Sequence, residues 1–184
     1  MRIELNRTFA LRANILLAAF IFLFSSCNKE VAETLTAQDL LDSALKNVDQ
    51  TQLDIDTKII DDSLAVWGFT DVILTEPQGV RYKIDTLGNG EKPKLESIVW
   101  IKYSGKLLST GEEFDAGDKL ETYLYRLIAG FQTTLPLIPN GSTITLYIPS
   151  GLGYGANDVR DSSGKVAIPK NSNLIFDIEL FGVF

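Results

Sequence analysis

The chain has 184 residues, 45% of them hydrophobic, enough for one packed domain with an appendage. Its 24 acidic and 17 basic residues leave a net charge of −7 with no Lys/Arg cluster to offset it, so nucleic acid is not an expected partner. With no His and one Cys, serine–histidine triads, imidazole metal sites, internal disulfides and CxxC redox pairs are excluded, and what remains is acid–base work by carboxylates or catalysis without a covalent step; no cofactor or metal is expected.

Residues 1–26 read as a secretory signal. Arg2, Arg7 and Arg12 precede an apolar run, residues 13–24, that is short for a membrane span. The run ends in Phe24-Ser25-Ser26-Cys27, which resembles a bacterial lipobox with Phe where Leu is usual. That resemblance implies cleavage before Cys27, acylation of Cys27 and a lipid anchor in the cell envelope, expected at the outer membrane and facing the periplasm or the cell surface. The other reading of these residues is an uncleaved N-terminal anchor with an incidental cysteine. Residues 27–35 are polar and aperiodic, as a tether is.

Residues 36–79 read as a helical segment followed by a first hairpin strand. Thr36 with Asp39 has capping-box spacing, and Leu40, Leu41, Ala44, Leu45 and Val48 recur at helical intervals. Thr51 with Asp54 repeats the signal ahead of Leu53, Ile60, Leu64 and Trp67, and Gly68 marks a C-terminal stop. Whether this segment packs on the domain, pairs with another copy or acts as a spacer is left open by its pattern.

Beyond Gly68 the period becomes alternating, and residues 80–184 read as the main folded domain. Val72 and Leu74, the Pro77-Gln78-Gly79 turn, then Val80, Tyr82 and Ile84 read as a hairpin. Strands are expected around Ile98–Tyr103, over Thr143–Ile148 and over Leu174–Val183, with one helix over Ile128–Leu137 near whose end Pro136 falls. The fold class is α+β, a twisted antiparallel sheet wrapped over one short helix and preceded by helices. Residues 157–166 form a polar loop expected to stay solvated and mobile.

Four segments carry a resemblance to a known family. They are Val99-Trp100-Ile101-Lys102-Tyr103-Ser104-Gly105, Gly111-Glu112-Glu113-Phe114-Asp115, Leu127-Ile128-Ala129-Gly130-Phe131, and Gly153-Tyr154-Gly155 followed by Ala167-Ile168-Pro169 and Leu174-Ile175-Phe176-Asp177. In this order and spacing they resemble the FKBP-type peptidyl-prolyl cis/trans isomerases. The resemblance implies a catalytic group of Tyr103, Asp115 and Tyr154. It implies a proline pocket walled by Phe114, Leu127, Ile128, Ile168 and Phe176 and floored by Phe131, which stands where the family usually has Trp. Ile128 would offer a backbone N–H and Tyr154 a hydroxyl to the substrate. The partners implied are proline-containing unfolded or exported polypeptides, with macrolide inhibitors weakened by Phe131. Between Asp115 and Leu127 the chain is shorter than the family pattern, so a wall strand is expected to be missing or replaced by Tyr123 or Tyr125, leaving the pocket open there.

Such residue types suit the reaction. The barrier is the amide's partial double bond, about 18–20 kcal/mol, and no bond need break. An apolar cleft disfavours the charge-separated planar amide relative to the twisted one, and a few donors orient the flanking chain. A second reading is a low-activity chaperone or scaffold lipoprotein, should the pocket be open; a third is a part in envelope machinery such as the gliding motility of Bacteroidota.

Overall fold

In the computed structural model the described residues are 34–69 and 73–184. The lipobox with Cys27, most of the tether and Val72 lie outside them. Leu35–Phe184 cluster as one compact unit.

Alternating apolar residues build a six-stranded antiparallel sheet. Its strands are β1 (Leu74–Thr75), β2 (Arg81–Thr86), β3 (Ile98–Leu107), β4 (Glu113–Tyr123), β5 (Thr143–Ile148) and β8 (Leu174–Val183), in the spatial order β1-β2-β5-β8-β3-β4. Strand β8 lies between β5 and β3, and its inward residues Leu174, Phe176, Ile178 and Leu180 are all buried. The opposed residues Gly105 and Phe176, Tyr103 and Ile178, and Leu107 and Leu174 share one face, as the two-residue side-chain period of paired strands requires. Over that face lies helix α3 (Ala129–Thr134), which buries Phe131 and runs into a 3-10 turn at Leu135–Leu137. The α-helix is thus shorter than the expected Ile128–Leu137. Pro136 lacks the N–H that another α turn needs, and a 3-10 turn takes over.

The other face of the sheet is partly covered by helix α2 (Gln50–Trp67), whose Ile60 and Leu64 pack with Leu108, Tyr147 and Ile175. Arg81 of β2 donates two hydrogen bonds to the Asp61 carboxylate, at 2.8 and 2.9 Å. Helix α1 (Ala37–Lys46) has the expected capping box at Thr36 and Asp39, and Leu41 joins the main core with Ala37, Leu45 and Val48. The helical segment therefore packs on the domain. Leu40 and Ala44 do not take part, because that side of α1 faces solvent. The N-cap of α2 is Asp49, which accepts from the Gln52 N–H at 3.1 Å and starts the helix ahead of Thr51. Gly68 does end α2, at φ 75°.

The polar stretch expected as a loop holds a small hairpin, β6 (Val159–Arg160) with β7 (Val166–Ile168). The Asp161 carboxylate closes it by accepting from the Ser163 and Lys165 N–H groups at 2.8 and 3.0 Å. Its turn residues remain exposed, as expected.

In the tight turn between β1 and β2, Glu76 is buried and accepts from the Gln78 N–H at 2.9 Å. Burial pushes its pKa up, against the opposing effect of hydrogen bonds from the Gln78 and Val80 backbone and the Thr133 hydroxyl of α3. A carboxyl group that keeps its proton to higher pH when folded favours the folded state below the ordinary Glu range, and that contribution disappears as pH rises through the raised value. Glu76→Gln should therefore melt progressively higher relative to the parent chain between about pH 4 and pH 8. Calorimetry across that range checks it; a difference in Tm that does not change with pH contradicts the burial effect.

Candidate active site

Two glycines make room for the aromatic side chains on the inner face of the sheet. Gly105 of β3 opposes Phe176 of β8 and Asp115 of β4. A Cβ at Gly105 would lie 2.6 Å from Phe176 Cε1 and 2.8 Å from Phe114 Cζ, so both rings occupy space that any other residue would fill. Gly117 opposes Tyr103, and a Cβ there would meet Tyr103 Cε1 at 2.8 Å, so the phenol ring lies across β4.

Phe176 is the hub of these rings. Its centroid is 4.8 Å from Phe131 and 5.6 Å from Phe114, both edge-to-face, and 6.4 Å from Tyr103. The rings border a cavity of about 120 Å³ lined by Tyr103, Asp115, Leu120, Leu127, Ile128, Phe131, Tyr154 and Phe176. That volume is far below the roughly 300–1,000 Å³ of drug-sized ligand sites, so the hollow suits one small ring and not an extended ligand. Two roomier depressions, of about 260 and 450 Å³, have no aromatic lining.

The polar groups of the hollow are few. The Tyr103 hydroxyl donates to Asp115 Oδ2 at 2.8 Å. Burial, the bond to Asp115 and the charges of Asp115 and Tyr154 push the Tyr103 pKa up to about 12. Tyr154 is pushed up as well, by burial and then by the Asp115 charge. Both phenols therefore keep their protons at neutral pH and serve as donors. Ile128 caps α3, its carbonyl accepting from the Phe131 and Gln132 N–H groups at 2.9 and 3.2 Å. Among the described residues no acceptor takes the Ile128 N–H itself. The Gln132 side chain donates to the Leu127 carbonyl at 2.6 Å and fastens the segment that enters the helix.

Seven of the nine expected site residues thus line one hollow: Tyr103, Asp115, Tyr154, Leu127, Ile128, Phe131 and Phe176. Phe114 stands behind them, its ring edge-on to both Phe176 and Tyr154. Ile168 is buried in the main core, in the same cluster as Phe131 and Phe176, and does not line the hollow. The wall strand expected to be missing is present, because β4 runs unbroken from Glu113 to Tyr123 and Leu120 supplies that wall. Tyr123 and Tyr125 do not reach the hollow; they stack on each other at 5.3 Å under Arg126. Leu120 was discernible as the one large aliphatic side chain between Phe114 and Tyr123. Among the described residues no cluster of Cys, Asp or Glu gathers that could hold a metal ion.

An apolar ring-lined hollow with one unengaged phenol, Tyr154, and a backbone N–H that no described residue accepts can bind a small ring, strip it of water and orient the chain around it. Comparison with known proteins agrees with this chemistry. A family model described as FKBP-type peptidyl-prolyl cis-trans isomerase matches residues 89–181. The FKBP-type peptidyl-prolyl cis-trans isomerase FkpA of Buchnera aphidicola is 33% identical over 165 residues, which cover 85% of this chain and 62% of that protein. The outer membrane protein MIP of Legionella longbeachae is 35% identical over 115 residues, covering 60% of this chain and 47% of that one. The chain thus spans less than two thirds of the length of these relatives. A solved peptidyl-prolyl cis-trans isomerase from Pseudomonas syringae superposes with a TM-score of 0.60 at 27% identity, over 71% of this chain and 94% of that one.

Proposed function

This chain belongs to the FKBP-type peptidyl-prolyl cis-trans isomerase family, and we propose that it accelerates rotation about X-Pro bonds of exported or envelope polypeptides by non-covalent catalysis in the aromatic hollow. The observation that carries the reading is the lining itself, in which Phe131, Phe176 and Tyr103 border a small hollow together with Tyr154 and Ile128, whose N–H has no acceptor among the described residues.

The proline ring enters the hollow against the Phe131 and Phe176 rings, and its amide leaves water. Desolvation raises the energy of the planar, charge-separated amide more than that of the twisted form. Ile128 N–H and the Tyr154 hydroxyl hold substrate carbonyls on either side and favour the chain geometry in which the amide has rotated. Tyr103, tied to Asp115, keeps its ring as a fixed wall. Uncatalysed isomerisation takes tens to hundreds of seconds, slow enough to limit folding, so catalysis would matter to newly exported chains.

An isomerisation assay on a short X-Pro peptide should give turnover well above background. Removing one donor costs about 0.5–1.5 kcal/mol, so Tyr154→Phe should lower kcat/KM roughly three- to tenfold. Turnover at background, or a parent rate unchanged by Tyr154→Phe, contradicts the mechanism. Phe131 keeps the floor apolar but has no indole N–H and less area than Trp, so macrolide ligands bind weakly. Phe131→Trp should tighten macrolide binding by a larger factor than it changes turnover, as read by fluorescence titration beside the assay; equal changes in both contradict this role for the floor.

Anchoring in the cell envelope is part of the same proposal. It is supported by the Arg-flanked apolar run that ends at Cys27, and by the likeness to a relative named as an outer membrane protein. Acylated Cys27 would hold the isomerase at the membrane among its substrates. Labelled palmitate should be incorporated by the parent chain and not by Cys27→Ser, which should leave the membrane fraction; a Cys27→Ser chain that stays there and still takes up label rules the anchor out.

A further inference from the structure

Helix α2 lies outside residues 89–181, yet it holds the loop that carries Tyr154. Asp56, at 1% exposure, reaches from the buried side of α2 to Ser150. Its Oδ2 accepts from the Ser150 N–H at 2.9 Å and from the Ser150 hydroxyl at 2.5 Å, and its Oδ1 from the Gln52 side chain at 2.8 Å. Asn173, next to the central strand, joins the same knot: its Oδ1 accepts from the Ser150 N–H at 3.2 Å and its Nδ2 donates to the Asp56 carbonyl at 3.4 Å. The Ser150 carbonyl in turn accepts from Gly153 N–H at 3.0 Å and Gly155 N–H at 2.8 Å, the residues on either side of Tyr154. The corner between α1 and α2 sits close on the same segment, since a Cβ at Gly151 would lie 3.0 Å from Val48 Cγ1.

We propose that Asp56 is a positioning residue for the isomerase reaction: from a helix outside the matched family region it fixes Ser150, hence the Gly153–Gly155 bracket, hence the Tyr154 hydroxyl over the hollow. This rests on Tyr154 being the substrate donor of the proposed function. A loop that swings freely has no reason to present one phenol at one place. Ser150 is anchored from two elements, α2 and the start of β8, so its carbonyl is a fixed acceptor for the bracket. Loss of the Asp56 carboxyl group leaves the Ser150 hydroxyl and the Gln52 amide without their acceptor and frees the segment to shift.

A double-mutant cycle separates positioning from mere support of the fold, because residues that act through one another are not additive. Kinetics on a short X-Pro peptide would be measured for the parent chain, Asp56→Ala, Tyr154→Phe and the pair, well below the melting temperature of each. Asp56→Ala should lower kcat/KM at least as much as Tyr154→Phe, and in the Asp56→Ala background Tyr154→Phe should cost less than about twofold. Asp56→Asn keeps one acceptor for Ser150, and Gln52 can turn its amide to face the new NH₂, so this variant should recover most of the rate. If Asp56→Ala does not fold, Ser150→Ala, which removes only the hydroxyl, replaces it in the cycle with the same expected non-additivity. Losses that multiply, or a full rate in folded Asp56→Ala, overturn the positioning role while leaving Tyr154 as donor. A Tyr154→Phe chain as fast as the parent overturns both.

Discussion

The arrangement of the hollow depends on one close approach: the Phe176 ring of the central strand stands in the space left by the missing side chain of Gly105. Because that space is open, Phe131 from α3 and Phe114 from β4 can both meet Phe176 edge-on, and the helix settles at a depth that leaves a small opening and not a sealed core. A side chain at residue 105 would push two rings apart at once. Tyr103 gains its place by the same device one step along, over Gly117. Aromatic packing of this kind contributes about 0.5–1.5 kcal/mol per pair beyond burial, and here it also fixes the shape into which a ring can be received.

Around that frame the polar groups are few and each has a definite assignment. Asp115 is engaged by Tyr103 and keeps that ring in place, whereas the Ile128 N–H and the Tyr154 hydroxyl have no partner among the described residues and are the groups proposed to meet a bound chain. Phenols with raised pKa values stay neutral, so under the proposed function the site would work by shape, desolvation and hydrogen-bond donation. No covalent step calls for the histidine that the chain lacks. The helices that precede the family region also belong to this frame. Helix α1 adds Leu41 to the main core, and α2 partly covers the outer face of the sheet and grips Ser150, at the root of the Tyr154 loop.

Much of this was legible in the sequence because local rules and tertiary packing agree. Alternation marked the strands around 98–103, 143–148 and 174–183 but not β4, Thr36 with Asp39 capped the first helix, and Pro136 stopped the α-helical part of the third. What escaped depends on register and competition between equivalent signals. Asp49 and Thr51 are both competent caps, and only the helix in place shows that the earlier one captures the Gln52 N–H. Leu120 faces the hollow because three residues of β4 advance against two of β3 between the Ile101–Leu120 and Tyr103–Gly117 pairs, an irregularity that spacing does not reveal. Family resemblance named Phe114 and Ile168 among the walls, but Phe114 is packed edge-on against Phe176 and Tyr154 and Ile168 is buried in the main core, and neither lines the hollow. The tie from Asp56 to Ser150 joins residues 94 positions apart and leaves no local trace in either segment.

The site is proposed to seat a substrate proline in the hollow lined by Tyr103, Phe131 and Phe176. The most direct measurement is nuclear magnetic resonance of the chain bound to a short peptide with an isotopically labelled proline. The account predicts upfield ring-current shifts of the proline ring protons, with cross-relaxation to the rings of Tyr103, Phe131 and Phe176. A peptide that binds while its proline shows no ring-current shift, or contacts only residues outside the hollow, contradicts it.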